Sequence, residues 1–279
     1  MAALETKRLV TDNGTIVYHV YRNPDQTMVN LYVHGLGDNR KWFPKHFSTY
    51  ALDRFSWIVP DLLGHGDSTK SDEAEAYTMD QQADYLAAIL EKEDIKRLSI
   101  LAHSMGGAIA ASLIELLAHQ ETLKARPSLL FYLEGNLDAG DAFFSSQIAK
   151  MTFSEFEGQF DSWCDKILGD SKEEPMLNFV TAFRKAGPFT IWASSKSLAP
   201  ISMKGDLLGR LLAHQGISMY FIFGEKNKGV FSSESLVRKA NLPLLFIPEA
   251  GHGLHTENPP VFWKIVCELI QQESNQIQE

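Results

Sequence analysis

Short apolar runs alternate along this chain with stretches in which apolar residues recur every three or four positions. Lys7–Thr11 and Thr15–Arg22 flank Asp12-Asn13-Gly14, and Asn-Gly between β-rich runs predicts a hairpin. Met28–His34, Ser56–Pro60, Arg97–Ala102, Ser128–Leu133, Ser218–Phe223 and Pro243–Ile247 are apolar runs of strand length. Met79, Ala83, Leu86, Ala87 and Leu90 fall at helical intervals within Thr78–Glu91. Met105–Leu117, a segment around Phe231–Ala240 and Pro260 to about Gln272 also have helical composition, and Asp38–Leu52 reads as loop and helix. This alternation predicts an α/β protein whose mostly parallel sheet is covered on both faces.

The alternation fails from Asp138 to about Gly205. No strand pattern occurs there, but Phe143, Phe144, Phe153, Phe156, Trp163 and Phe183 belong to a series at roughly helical spacing. Pro175, Gly187-Pro188 and Pro200 interrupt it. A helical insertion lying on the sheet is expected, with most of its aromatic residues packing on one another.

The 279 residues allow one α/β domain or a core with an insertion. A content of 44% hydrophobic and 22% charged residues excludes disordered and low-complexity classes. The net charge of −9, with no basic block, argues against nucleic acid as a partner. Cys164 and Cys267 form neither a CxxC pair nor a disulfide framework, which fits a reducing compartment. MAALETKRLV lacks the apolar stretch of a secretory signal. Leu98–Ile114 is uncharged, but Ser104, Gly106 and Gly107 interrupt it and suit a strand, a sharp turn and a helix better than a membrane span. A soluble cytoplasmic protein acting on a small molecule is expected.

Three loops carry candidate chemistry. Ala102-His103-Ser104-Met105-Gly106-Gly107 lies between a predicted strand and helix. A serine on such a turn projects its hydroxyl above the sheet, and small flanking residues let strand and helix approach. The Met105 N–H then sits at a helix N-terminus, where it can stabilise an oxyanion. His34-Gly35-Leu36-Gly37 follows an earlier strand, so the Leu36 N–H can supply a second donor. His34 itself reads as a buried imidazole bonded to its loop. Gly251-His252-Gly253 follows the last strand, and a neutral imidazole there can serve as base to a serine hydroxyl. His255 is its rival. His252-x-x-His255 also has metal-ligand spacing, but no third ligand accompanies it, and neither a metal nor another cofactor is expected.

The chain resembles the α/β-hydrolase superfamily in its cap-bearing serine hydrolase branch. The resemblance rests on HGLGD (34–38), PDLLGHGDS (60–68), AHSMGG (102–107), GEKN (224–227) and AGHGLHTENP (250–259), five motifs in register over nearly the whole chain. It implies the α/β-hydrolase fold: a mostly parallel sheet of about eight strands with helices on both faces and a helical lid inserted after strand 6. Residues 1–137 and 206–279 then form the core and 138–205 the cap. It also implies a Ser–acid–His triad containing Ser104 and His252, with the Gly64-His65-Gly66 loop shaping the pocket rim.

The acid departs from the family pattern. Relatives usually carry Asp where this chain has Asn227, and Asn cannot supply the charge that stabilises an imidazolium. Glu134 ends the sixth predicted strand. Neighbouring strands lie about 5 Å apart, so a Glu there can reach the same imidazole. Some haloalkane dehalogenases are similar in placing their acid after strand 6. Glu225, Asp138 and Asp141 are the alternatives. Ser104, rather than Asp, at the elbow points to acyl transfer with the triad Ser104, His252 and Glu134 and the oxyanion donors Leu36 and Met105. The expected activity is hydrolysis of a carboxylic ester with an apolar group. Thioester, lactone or carbon–carbon cleavage stays open, as does a receptor with little or no turnover.

Overall fold

A computed structural model describes residues 3–276. Residues 1, 2 and 277–279 of the expected core segments lie outside the described residues. Eight strands form one sheet: β1 Glu5–Thr11, β2 Gly14–Tyr21, β3 Met28–Val33, β4 Ser56–Pro60, β5 Arg97–His103, β6 Arg126–Leu133, β7 Ser218–Gly224 and β8 Leu244–Ile247. Their order is β1-β2-β4-β3-β5-β6-β7-β8. β1 and β2 pair antiparallel and β2 meets β4 antiparallel; all other neighbours are parallel. The hairpin turns at Gly14, whose φ of 133° favours glycine. Every residue of β3 and β4 is buried, as a sheet covered on both faces requires.

The helices are α1 Phe43–Thr49, α2 Met79–Lys92, α3 Met105–His119, α4 Ser145–Ala149, α5 Phe153–Glu157, α6 Phe160–Leu168, α7 Glu174–Lys204, α8 Leu207–Leu212, α9 Ser232–Lys239, α10 Leu254–Glu257 and α11 Pro259–Gln276. On one side of the sheet, Leu86, Ile109 and Leu113 from α2 and α3 join Leu31, Ile100 and Phe221 from the strands. Phe43 of α1 and Phe262, Trp263 and Val266 of α11 pack with Leu101, Phe131 and Ile222 in a second cluster. Alternate side chains of one strand thus enter different clusters, as the two-residue period dictates. The uncharged run 98–114 divides into β5, the turn and α3. No described helix is long and apolar enough to cross a membrane.

The segment between β6 and β7 is helical, as the broken alternation predicts. Ile148, Phe156, Trp163, Val180 and Phe183 form a cluster of their own. α7 bends at Gly187, whose φ of 83° is left-handed, and Pro188 follows without an amide hydrogen to continue the ladder. Lys185 of α7 pairs with Asp67, tying the insertion to a loop of the core. Helix α8 was not expected from the sequence; its Leu207 and Leu211 join the first core cluster. We therefore propose the division 138–205 for the cap and 1–137 with 206–279 for the core.

Candidate active site

The carboxyl ends of the central strands bring the three loops together. β5 ends at His103, and Ser104 adopts φ 54° and ψ −122° before α3 begins at Met105. That left-handed conformation costs a non-glycine residue on the order of 1–3 kcal/mol and must be held by its surroundings. The Ser104 N–H donates to Leu133 O at 3.0 Å, and the Gly107 N–H donates to Ser104 O at 2.9 Å. Gly106 is needed by proximity, because a Cβ there would collide with Val33 O and lie 3.0 Å from His34 O. A Cβ on Gly35 would lie 3.0 Å from Ser104 Cβ, so the 34–37 loop rests directly on the elbow. Leu36 and Ser104 consequently line one cavity.

His34 lies beneath this loop. Its Nε2 accepts the Leu62 N–H at 3.0 Å and its Nδ1 lies 2.8 Å from Gly35 O. Burial pushes its pKa down to about 4.

Glu134 directly follows β6 with φ 42° and a side chain only 1% exposed. Its Oε1 accepts the Gly224 N–H at 2.6 Å. Asn227 Nδ2 lies 3.1 Å from Oε1 and 2.9 Å from Oε2. Oε2 is 2.9 Å from His252 Nδ1. Asn227 therefore donates to the carboxylate on the neighbouring strand. By sequence Asn227 is only a missing acid; its donor role rests on the approach of its side chain to Glu134.

His252 has a side chain 47% exposed and lines the cavity with Ser104. Among the described residues no hydrogen bond joins its imidazole to the Ser104 hydroxyl, a contact that commonly tightens only with substrate bound. Its carbonyl lies 2.8 Å from His103 Nε2, which links the histidine loop to the strand carrying Ser104. The rival, His255, points elsewhere. It is buried, with Nδ1 3.0 Å from Tyr32 Oη and its ring against Trp42. The alternative acids are also otherwise engaged. Asp141 accepts the Leu137 and Asp138 N–H groups and the Ser233 hydroxyl. Asp138 accepts from Ser232 and Gly140, and Glu225 accepts from Glu249 N.

The cavity holds about 330 Å³. Leu36, Phe144, Ile167, Phe179 and Phe231 make most of it apolar, and Ser104, Glu134 and His252 open onto it. Phe143, 56% exposed, also lines it and stacks on Phe231. Another hollow, of about 360 Å³, lies around Gln215, Tyr220 and Pro243, away from these groups, so size alone does not identify the site. The Gly64-His65-Gly66 loop does not line the cavity, contrary to expectation. A Cβ on Gly64 would press on Tyr77 and on Thr190 of α7, so the loop supports the cap from below.

Residues 31–264 match the model of the alpha/beta hydrolase family. This chain belongs to that family. An uncharacterised protein of Mycobacterium tuberculosis is 40% identical over 81 residues, 29% of this chain and 23% of its own length. The match therefore spans less than a quarter of that relative. A 2-succinyl-6-hydroxy-2,4-cyclohexadiene-1-carboxylate synthase of Enterobacter sp. is 24% identical, covering 86% of this alpha/beta hydrolase and 91% of the synthase. Among solved structures, a mutant of the N-acyl homoserine lactonase AidH complexed with N-hexanoyl homoserine is similar with a TM-score of 0.73 and 17% identity, covering 97% of both chains. The lactonase likeness, at 17% identity over 97% of this chain, is one of fold.

Proposed function

We propose that the chain is a serine hydrolase that cleaves a carboxylic ester with an apolar group through an acyl-enzyme. Ser104 Oγ attacks the carbonyl carbon while His252 Nε2 takes the hydroxyl proton. Glu134 keeps the proton on His252 Nδ1 and balances the imidazolium that forms. The Leu36 and Met105 N–H groups hold the oxyanion. The protonated His252 then returns its proton to the leaving alcohol, and water, activated by the same base, releases the acid. No cofactor enters this scheme. The observation that carries the reading is the 2.9 Å contact between Glu134 and His252 at the rim of the cavity that Ser104 lines.

The apolar wall of Phe144, Ile167 and Phe179 supports an apolar acyl or alcohol group. Buried, free Cys164 and Cys267 support a reducing compartment, in keeping with a cytoplasmic protein. The receptor reading drew on Asn227; the contact of Asn227 with Glu134 weakens it, because a carboxylate stands in for the missing Asp. A fluorophosphonate reagent with intact-mass readout tests the proposal. One adduct on the wild type, absent from Ser104→Ala, is expected. Folded wild-type protein that takes up no adduct would return the reading to a receptor. Turnover of thioesters, lactones or carbon–carbon substrates ahead of all esters would change the substrate class.

A further inference from the structure

The polar groups of the cavity are of two kinds. Asp141 and Ser233 are consumed by the protein. Asp141 Oδ2 accepts the Leu137 N–H at 2.7 Å and the Asp138 N–H at 3.1 Å, and Oδ1 accepts the Ser233 hydroxyl at 2.7 Å. Together they brace the turn that leaves β6. Asn136 and Ser145 are different. Each is only 4% exposed, and each lines the cavity. The Asn136 carbonyl accepts the Tyr132 hydroxyl at 2.7 Å, which fixes the backbone. Among the described residues, however, the Asn136 carboxamide and the Ser145 hydroxyl have no hydrogen-bond partner. Neither polar end is sealed off from the cavity, so water can serve it there, and a guest that displaces that water must replace its hydrogen bonds or lose about 1–3 kcal/mol for each. A ligand in the cavity can supply them.

The charge of the lining narrows that ligand. The described lining contains no Lys or Arg but does contain the carboxylates of Glu134 and Asp141. A substrate carboxylate or phosphate would lose its water there without a counter-charge. A cation would find both carboxylates already engaged. The group that remains is neutral and both donates and accepts, as a carboxamide side chain and a hydroxyl do.

We propose that Asn136 and Ser145 form a specificity subsite for a secondary amide carried on an otherwise apolar, uncharged ester substrate. The proposal rests on the hydrolase reading above and narrows it to neutral amide-bearing esters.

The test compares four methyl esters of similar length by pH-stat: methyl hexanoate, methyl N-propanoylglycinate, methyl 4-acetamidobutanoate and monomethyl adipate. Wild type should hydrolyse the better amide ester with a kcat/KM at least about tenfold above that of anionic monomethyl adipate. Asn136→Leu and Ser145→Ala should each lower the amide-to-hexanoate ratio by about tenfold or more, with Asn136→Leu raising the rate on hexanoate. Circular dichroism identifies any variant that fails to fold. If Asn136→Leu fails, Ser145→Ala and the near-isosteric Asn136→Asp carry the test. Ratios within threefold of wild type in the folded variants would overturn the subsite while leaving the hydrolase standing. If no ester turns over, ligand-observed NMR on Ser104→Ala decides separately. Binding of an amide ester, lost on adding Ser145→Ala, upholds the subsite although the hydrolase reading has failed. Equal binding of hexanoate and amide esters overturns it.

Discussion

Replacing Glu134 by Gln tests the proposed triad most directly, because the structure dictates which way the new amide must face. Oε1 accepts the Gly224 N–H, a backbone donor with no freedom to turn away. The amide oxygen therefore takes that position, and the NH₂ faces His252 Nδ1 and Asn227. Asn227 can flip its own amide to accept. His252 can only respond by holding its proton on Nε2, which leaves no lone pair there for the Ser104 proton. The wrong tautomer, together with the lost charge, should lower kcat about 10⁴-fold, as the comparable acid-to-amide change does in serine proteases. That corresponds to about 5 kcal/mol in the activation barrier. The shape of the side chain is kept, so a thermal melt should show a folded protein. The assay is kcat on one good ester from pH 5 to 9. A folded Glu134→Gln within threefold of wild type would refute the reasoning. Collapse of Glu225→Gln, Asp138→Asn or Asp141→Asn instead would move the acid. The 2.9 and 3.1 Å contacts of Asn227 add a companion outcome. On sequence grounds Asn227→Asp alone should change little. The structure reverses this, because the substitution removes two donor contacts and sets a like charge against a buried carboxylate, so activity should fall. In the Glu134→Gln background the same substitution restores the missing charge and should recover part of the rate.

Ser104→Ala should cost on the order of 10⁶ in kcat, and retention of a tenth of the wild-type rate would exclude Ser104 as the nucleophile. Gly106→Ala drives a methyl group into Val33 O, so it should destabilise the fold by about 1–3 kcal/mol and misplace Ser104; an unchanged denaturant midpoint would contradict the close approach. Phe179→Ala enlarges the apolar cavity and should favour longer chains, each methylene newly accommodated being worth about tenfold in kcat/KM; an unchanged length profile would place Phe179 outside the substrate path. Burial depresses His34 and His46 to about 4 and His65 and His103 to about 3, and it holds His255 well below its usual value. Their contribution to stability is present above about pH 6.5 and lost as pH falls from there towards 3, at about 1.4 kcal/mol per pH unit per imidazole. Asp38, raised to about 7 by burial, opposes this with one proton between about pH 4 and 7. Melts should therefore show a steep loss of Tm between pH 6.5 and 5, and a flat profile would contradict the neutral core histidines.

β3 to β8 were legible as short apolar runs bounded by turn residues, and β1 and β2 from the Asn-Gly turn between them; of the parallel strands, β3 and β4 are buried along their whole length. Ser104 and Leu36, proposed here for the site, stand out in the sequence because small residues surround them, for steric reasons that the Gly35 and Gly106 contacts make plain; His252 stands out by its place on a loop after the last strand. Glu134 was reached by a different route, since a carboxylate ending a buried strand needs a partner. The role of Asn227 was hidden because it depends on where the Glu134 and Asn227 side chains point at the ends of adjoining strands, which no local pattern records. Helix α8 escaped notice because its six residues are too few to establish a helical period. Asn136 and Ser145 gave no signal either: an Asn after a strand and a Ser opening a helix are ordinary in turns, and only the enclosing cavity distinguishes them.

The absence of a basic side chain from the described cavity lining also bears on the end of each catalytic cycle. In the proposed reaction, ester cleavage at neutral pH would turn a neutral guest into an anion beside Glu134 and Asp141. That product would be repelled from the pocket that takes its precursor, and the fatty or substituted acid should be a poor inhibitor even at high concentration. The same asymmetry works against running the reaction backwards, since the acid needed for ester synthesis would have to enter a negatively charged apolar pocket. Turnover of the proposed ester would be ratcheted by charge, with release of the acid driven by the chemistry that creates it.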